Sequence, residues 1–398
     1  MIRHNSISRC LIAGFIATFA LPSPIRADVT IGAIQPLSGP NAQFGIGSLR
    51  GTELAVEAIN AAGGIKSLGG EKLKLEIADV PGPNTAAAAT QRLISQRQVA
   101  AVVGAFASST TLAASEVTER AGIPLVTFAF ADQITGRGYQ YVFQISPKGT
   151  VFGEAQLTDT LAIAKAAGDD IARVAILYED TAYGTAQAEG LRIAARKSGV
   201  TIVMDEAYLL GITDVSPLIN KLKASDAQLI FPVSYLNDGL QIIRALRQQD
   251  ITTPVVGGAA GYIIPDFKNA LGEYAEGVLS VAAASGDLIP DVAAAYKEKY
   301  GTFITHEALI HAAAVDAVYQ AIESAGSAEP EALRNALAKL DYCGGFAGGV
   351  PGGCIRFDET GLNAASFPIM VQWRGDAPVA VYPKQVATQA PLWTPAQP

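Results

Sequence analysis

The chain has 398 residues, 49% of them apolar and 17% charged, with a formal net charge of −8. That length suits two domains, and that composition supports large buried cores and excludes a disordered chain. The acidic balance disfavours nucleic acid and anionic lipid as partners.

Residues 1–27 carry Arg3 and Arg9, the apolar run LIAGFIATFAL, and PSPIRA ending at Ala27. A basic start, an apolar centre and a small residue at the cut predict a cleavable secretory signal, with the cut at Ala27/Asp28. The run is too short to span a bilayer as a permanent helix. Cys10 precedes it instead of following it, which argues against a lipoprotein. Without the three Arg of this segment the chain carries 26 basic and 37 acidic residues, a net −11. Cys343 and Cys354 remain, and an even pair in an exported chain predicts a disulfide closing the flexible loop GGFAGGVPGG.

VTIGAIQPLSG (29–39) is a β-branched run ending in turn residues, a strand and loop. Residues 49–64 have apolar spacing of a helix and a glycine stop. A strand at 73–80, a helix at 85–98, a continuously apolar strand at 99–106, a helix at 109–122 and a second apolar strand at 123–130 follow. Residues 139–147 lead out. The alternation restarts with helices at 153–168, 183–199, 215–226 and 236–249 and strands at 172–180, 200–209, 227–234 and 253–260. A strand at 275–284, helices beginning near 292, 307 and 331, and strand-like stretches at 355–361 and 366–375 complete the chain. Such alternation predicts α/β architecture, two doubly wound parallel-sheet lobes with helices on both faces. Ligands in such sheets sit beyond the carboxyl ends of the strands. Residues 104–111, Glu179–Tyr183, Ser234–Tyr235 and Gly257–Gly261 all lie at such ends.

Several stretches carry a more specific resemblance. They are IGAIQPLSGPNAQFG, GTELAVEAINAAGGI, AVVGAFASSTTLAASEV, the AYG of DTAYGTAQAEG, TDVSPLINKLKASDAQLIF and IRFDETG. Together they resemble, in order and over most of 29–375, the type I periplasmic solute-binding proteins of ABC transporters, in their branched-chain amino acid branch. The resemblance implies two lobes joined by three crossover segments near 144–148, 280–284 and 355–360. Lobe 1 is then 28–146 plus 281–356, and lobe 2 is 147–280 plus 357–398. It also implies a periplasmic, monomeric protein that traps a small-molecule solute between its lobes and passes it to a membrane permease. No cofactor is implied.

By the same resemblance, the hydroxyl at Ser108 and nearby main-chain groups hold a ligand carboxylate. Ser109 starts a helix whose first N–H groups lack partners and whose dipole favours an anion, so Ser108 and Ser109 together make an anion site. The bland reading, N-capping alone, needs only one hydroxyl of the four at 108–111. Ala129 falls where the family's second loop offers backbone. Phe44 occupies an aromatic position of the side-chain pocket, and Tyr183 and Tyr235 match aromatics that close over the ligand; Phe44 and Tyr235 also fit ordinary core positions.

Two departures stand out. The loop after 127 reads FAFAD, with Phe128 in place of the family's proline and no hydroxyl until Thr135. Amino acid binders carry an acid after the strand at 253–257, where this chain has Ala259. A buried ammonium needs a partner. Glu179, Asp180 and Asp238 are the substitutes nearby in sequence. The alternative is a ligand without an amine, an aromatic or short-chain acid.

An enzyme is not expected. HEALIH is similar to a zinc motif, but its histidines are five apart, about 500° around a helix, and the expected place for His306 and His311 is the helix surface. No nucleophile elbow or Walker loop occurs, and no metal site is expected. A periplasmic component presenting ligand to a separate sensor is the alternative function.

Overall fold

The computed structural model describes Met1 and residues 28–393. The expected secretory segment therefore lies outside the described residues. From Val29 the chain alternates β1 (Val29–Gln35), α1 (Ala42–Ala61), β2 (Leu73–Asp79), α2 (Pro83–Arg97), β3 (Ala101–Gly104), α3 (Ser108–Ala121), β4 (Leu125–Thr127), the single turn α4 (Gln133–Gly136) and β5 (Val142–Gln144). These strands form one parallel sheet in the order β2-β1-β3-β4-β5. The central β3 is buried at all four residues, which is why its sequence, AVVG, shows no alternation.

A second unit contains α5 (Gly149–Ala166), β6 (Arg173–Glu179), α6 (Ala182–Ser198), β7 (Thr201–Tyr208), α7 (Ser216–Lys223), β8 (Leu229–Val233), α8 (Leu236–Gln248), β9 (Val256–Gly257), α9 (Pro265–Leu271) and β10 (Leu279–Ala282). Its parallel sheet runs β7-β6-β8, and a parallel bridge between Ile230 and Val255 links it to β9 and β10. The chain then returns to the first unit with α10 (Pro290–Tyr300), α11 (His306–Ala325), α12 (Pro330–Leu337) and the hairpin β11 (Asp341–Cys343) and β12 (Cys354–Arg356). Finally β13 (Ile369–Arg374) adds antiparallel to β10, and β14 (Ala377–Tyr382) antiparallel to β13. Cys343 and Cys354 face each other across the β11–β12 hairpin and are joined by a disulfide. Among the described residues, no helix is long and apolar enough to cross a membrane.

The third passage between the units falls later than expected at 355–360. Leu362 still bridges to Gln144 beside β5, with Gln144 donating its N–H to Gly361 and accepting from Asn363. The chain crosses only between Asn363 and Ile369, so residues 357–363 belong with the first sheet and not with the second. The reason is the pairing of this segment's backbone with the otherwise open edge of β5.

Helices also begin earlier than their apolar spacing predicts. Expected at 49 and 153, α1 begins at Ala42 and α5 at Gly149. Glycines disguise both first turns, and the packing explains them. A Cβ on Gly45 would lie 1.9 Å from the Pro36 carbonyl oxygen, and one on Gly153 1.9 Å from that of Gln187. Gly51, with a Cβ position 1.9 Å from the Ala308 carbonyl oxygen, lets α1 lie directly on α11. The first thirteen residues of α11, His306 to Val318, are all buried. A helix apolar on every side belongs in a core, and α11 runs against both α1 and the first sheet.

Candidate functional site

The carboxyl ends of β3 and β4 in the first unit face α6 and α8 of the second. Phe106, Ser108, Phe128 and Phe130 come from the first unit, and Tyr183, Tyr235 and Ala260 from the second, and together they enclose a small gap. The rings form a continuous chain. Phe44 stacks on Phe106 at 4.5 Å, Phe106 on Phe128 at 5.4 Å, Phe128 meets Phe130 at 4.7 Å, and Phe130 lies 6.0 Å from Tyr183. Tyr183 and Tyr235 close the circuit at 5.3 Å. None of these six rings is more than 6% exposed, so the gap is enclosed and its walls are largely apolar.

Ser108 is the first residue of α3, and its Oγ accepts hydrogen bonds from the N–H of Phe130 at 3.2 Å and of Ala131 at 3.1 Å. The cap residue is Ala107, with no side-chain cap bond, so capping does not account for Ser108. With both bonds accepted, its own hydroxyl proton remains to be donated. Ser109 is half-buried one position further on and does not line the gap. Thr111 is a brace: its hydroxyl donates to the carbonyls of Ala105 and Ala107. Ala129 is fully buried and its N–H is taken by the Thr127 hydroxyl at 3.2 Å. The N–H groups turned toward Ser108 belong to the next two residues.

On the other side, the Tyr183 hydroxyl donates to the Gly258 carbonyl. Burial, and then the neighbouring Tyr235, push the Tyr183 phenol well above its usual range, so it is a neutral donor. Replacing Tyr183 with Phe leaves the Gly258 carbonyl without this partner. The expected cost is about 1–2 kcal/mol, read as a lower urea midpoint with unchanged slope.

Ala259 is fully buried and gives its N–H to the Ser280 hydroxyl at 3.0 Å. Its φ of +75° is unusual for a residue with a side chain. It stands behind the gap, whose wall here is Ala260. Phe44 likewise stands behind Phe106.

The acids near in sequence are already engaged. Glu179 is fully buried and accepts from the N–H of Thr181 at 2.7 Å, the N–H of Gly184 at 2.7 Å and the Thr181 hydroxyl at 2.9 Å. It anchors the first turn of α6, and burial raises its pKa despite these bonds. Asp180 accepts from the Leu210 N–H at 3.2 Å and Asp238 from the Gly211 N–H at 3.1 Å. None of the three lines the gap.

His306 and His311 are not on the helix surface as expected. They are 3% and 0% exposed, because α11 is enclosed on all sides. Both rings pack on Phe128, at 5.1 and 5.6 Å, directly behind the gap. His306 Nε2 lies 3.5 Å from Glu307 Oε2. Burial pushes His306 down to about 3, His311 down to about 4 and Glu307 up to about 7. Each shift favours the neutral form, so this is a contact between uncharged groups in mild acid and not an ion pair. Among the described residues, no group of three or more His, Cys, Asp or Glu is placed to hold a metal.

Phe106 and the N–H groups of Phe130 and Ala131 are the site elements that sequence reasoning missed. Phe106 ends a run of buried residues just before the hydroxyls, so its position beyond a strand's carboxyl end was the available signal.

Comparisons with known proteins agree with this architecture. Residues 28–375 match the periplasmic binding protein family. The chain is 32% identical to the Leu/Ile/Val-binding protein homolog 8 of Brucella melitensis, covering 96% of this chain and 98% of that one. It superposes on the branched-chain amino acid transporter substrate binding protein LivJ of Streptococcus pneumoniae, solved with isoleucine, with a TM-score of 0.77. That match is 25% identical and covers 90% of this chain and 100% of the other. An ABC transporter solute binding protein from R. palustris, solved with benzoate, shares the fold at 19% identity and a TM-score of 0.76, covering 89% and 95% of the two chains. With its two α/β units and the enclosed gap between them, this chain belongs to the periplasmic binding protein family, has the type I fold of those relatives, and is, as that family is, a non-enzymatic solute-binding protein.

Proposed function

We propose that the protein is the periplasmic substrate-binding component of an ABC importer, and that it captures a small aromatic carboxylate between its two lobes. The observation that carries this reading is the composition of the gap. Five rings, Phe106, Phe128, Phe130, Tyr183 and Tyr235, surround the Ser108 hydroxyl, and no carboxylate lines the space. Flat apolar walls suit a planar ring. A carboxylate placed at Ser108 takes the spare hydroxyl proton and displaces that oxygen from the Phe130 and Ala131 N–H groups, gaining charge-assisted bonds. The start of α3 adds its dipole, with Ser109 in its first turn. An amino acid would bring an ammonium into the same enclosed space with no acid to meet it. The relatives include one solved with isoleucine and one solved with benzoate, so either ligand class occurs on this fold.

The rings leave room for about one water molecule. Solute entry therefore requires the lobes to part, and a bound solute touching both lobes favours closure. A membrane permease would then recognise the closed form.

A thermal-shift comparison on protein unfolded and refolded to strip bound solutes tests the ligand class. At ~100 times its Kd, a ligand adds about 2.7 kcal/mol of stability. Benzoate is expected to raise the Tm and leucine to leave it unchanged. A shift with leucine alone would refute the aromatic-acid reading and restore the amino acid one.

A further inference from the structure

Ten residues separate Cys343 from Cys354, and six of them are glycine. With free ends such a segment is very flexible, and here the disulfide closes it. The closed loop lies where the two units join.

The chain passes between the units three times. The first passage follows β5, which ends at Gln144. The second runs from Ala282, at the end of β10, to Pro290, at the start of α10, and the third from Asn363 to Ile369. In the second passage, the Ser285 N–H donates to the Gly349 carbonyl of the loop at 3.2 Å. In the third, a Cβ on Gly352 would lie 2.2 Å from the Ala365 carbonyl oxygen, so the backbone of the loop rests directly on the passage. The Asn363 side chain donates to the Cys354 carbonyl at 3.2 Å and accepts from the Arg356 N–H at 2.9 Å. The Asn363 N–H donates to the Gln144 carbonyl at 2.8 Å, where the first passage leaves β5.

Ser285 also connects the loop to the second unit. Its hydroxyl donates to Asp287, whose carboxylate accepts the Ala380 N–H of β14 at 2.9 Å and the Thr388 hydroxyl. Within the first unit the loop is held by Asp316 of α11, which accepts the Phe346 N–H at 3.2 Å. Cys343 is exposed, so the disulfide is open to a thiol reductant.

We propose that this loop braces the hinge, and that its disulfide is a redox switch on solute capture. Oxidised, the loop holds the passages as they stand here, with the lobes together; reduced, it lets them part. With the disulfide formed, the loop is already ordered, and its contacts with Ser285 and Ala365 cost little further entropy. In the reduced protein the glycine-rich segment must be ordered again each time the lobes close, which shifts the balance to the open form. The chemistry is thiol–disulfide exchange. One thiolate of a dithiol attacks the exposed Cys343 sulfur and expels the Cys354 sulfur, which takes up a proton. The second thiol then frees Cys343, so two thiols form here while the dithiol becomes a disulfide. The proposal rests on the lobes closing over a solute, and not on which solute that is.

Amide hydrogen exchange on the solute-free protein tests it, with reduction by dithiothreitol under native conditions followed by thiol alkylation. Reduction is expected to speed exchange at Ser285 and Asn363, and also at Phe130 and Ala131, whose N–H groups are enclosed at the gap, by about tenfold, with β1 and β3 unchanged. Benzoate is expected to bind the reduced protein about tenfold more weakly, and reoxidation to restore both readouts. Cys343→Ser combined with Cys354→Ser is expected to behave as the reduced protein; should it fail to fold, reduced and reoxidised wild type carries the test. Unchanged exchange at Phe130 and Ala131, or an equal rise in β1 and β3, would overturn the proposal, as would a disulfide that resists dithiothreitol in the folded protein. Failure of benzoate to bind the oxidised protein would overturn the aromatic-carboxylate reading alone, and exchange would still decide the hinge.

Discussion

Replacing Ser108 with Ala is expected to destabilise the protein by about 2–4 kcal/mol and to remove carboxylate binding. The Ser108 Oγ is the acceptor for two buried N–H groups, those of Phe130 and Ala131. Alanine leaves both without a partner, and each orphaned buried donor costs about 1–3 kcal/mol. The same bonds tie the loop after β4 to the first turn of α3, so their loss also releases Phe128 and Phe130 from the wall of the gap. Urea unfolding reads the stability, and calorimetry with benzoate reads the binding. Threonine keeps the acceptor and is expected to retain most of the stability. If Ser108→Ala unfolds at the wild-type midpoint and binds benzoate unchanged, Ser108 neither braces the loop nor meets the ligand.

The buried histidines predict the second large effect, an acid sensitivity with a defined sign. In the folded protein His306 and His311 are held down to about 3 and about 4, against an ordinary value of 6.5. Above pH 6.5 both states leave the rings neutral. Below it the unfolded chain takes up protons that the folded chain refuses, so stability falls as pH falls. Each ring accounts for about 2 kcal/mol between pH 6.5 and pH 5. Glu307 acts in the opposite direction. Held up to about 7 from 4.5, it takes up its proton in the folded state first, so its contribution is greatest below pH 4.5 and is lost as pH rises through 7. The informative quantity is thus the difference between wild type and His306→Gln. The wild type is expected to lose about 2 kcal/mol more than the variant on going from pH 6.5 to pH 5. Parallel pH profiles for the two would show that His306 titrates alike in the folded and unfolded chains.

Much of the architecture was legible from local pattern. The alternation of apolar runs with helical spacing gave the two α/β units, because each strand and helix carries its own periodicity. Where backbone approaches backbone, the pattern misled. The glycines at 45 and 47 look like helix breakers ahead of residue 49, yet Gly45 is there because no side chain fits against Pro36, as at Gly51, further along α1, none fits against Ala308. Residues 357–363 read as part of the second unit, yet their partner is the edge of β5.

The site divides in the same way. Ser108, Tyr183 and Tyr235 were named from the sequence, and all three line one gap. Phe44, Ala129 and Ala259 were named too, but they stand one layer behind it. The residue next in sequence to Ala129, Phe130, turns its N–H to Ser108, and only the course of the loop decides which amide faces which hydroxyl. Glu179 had the charge to meet an ammonium, but the first turn of α6 had already claimed both its oxygens.

The sequence by itself therefore determined the fold class, the expected pairing of Cys343 with Cys354 and the hydroxyl at the start of α3. These depend on composition, period and short-range spacing, which a linear chain carries in full. Only the tertiary structure decided that Phe106 joins the ring circuit and that His306, His311 and Glu307 are buried. Burial, neutralisation and orphaned donors or acceptors are properties of what surrounds a group. For α11 the surroundings come from α1 and from the first sheet, contributed by residues more than a hundred positions away.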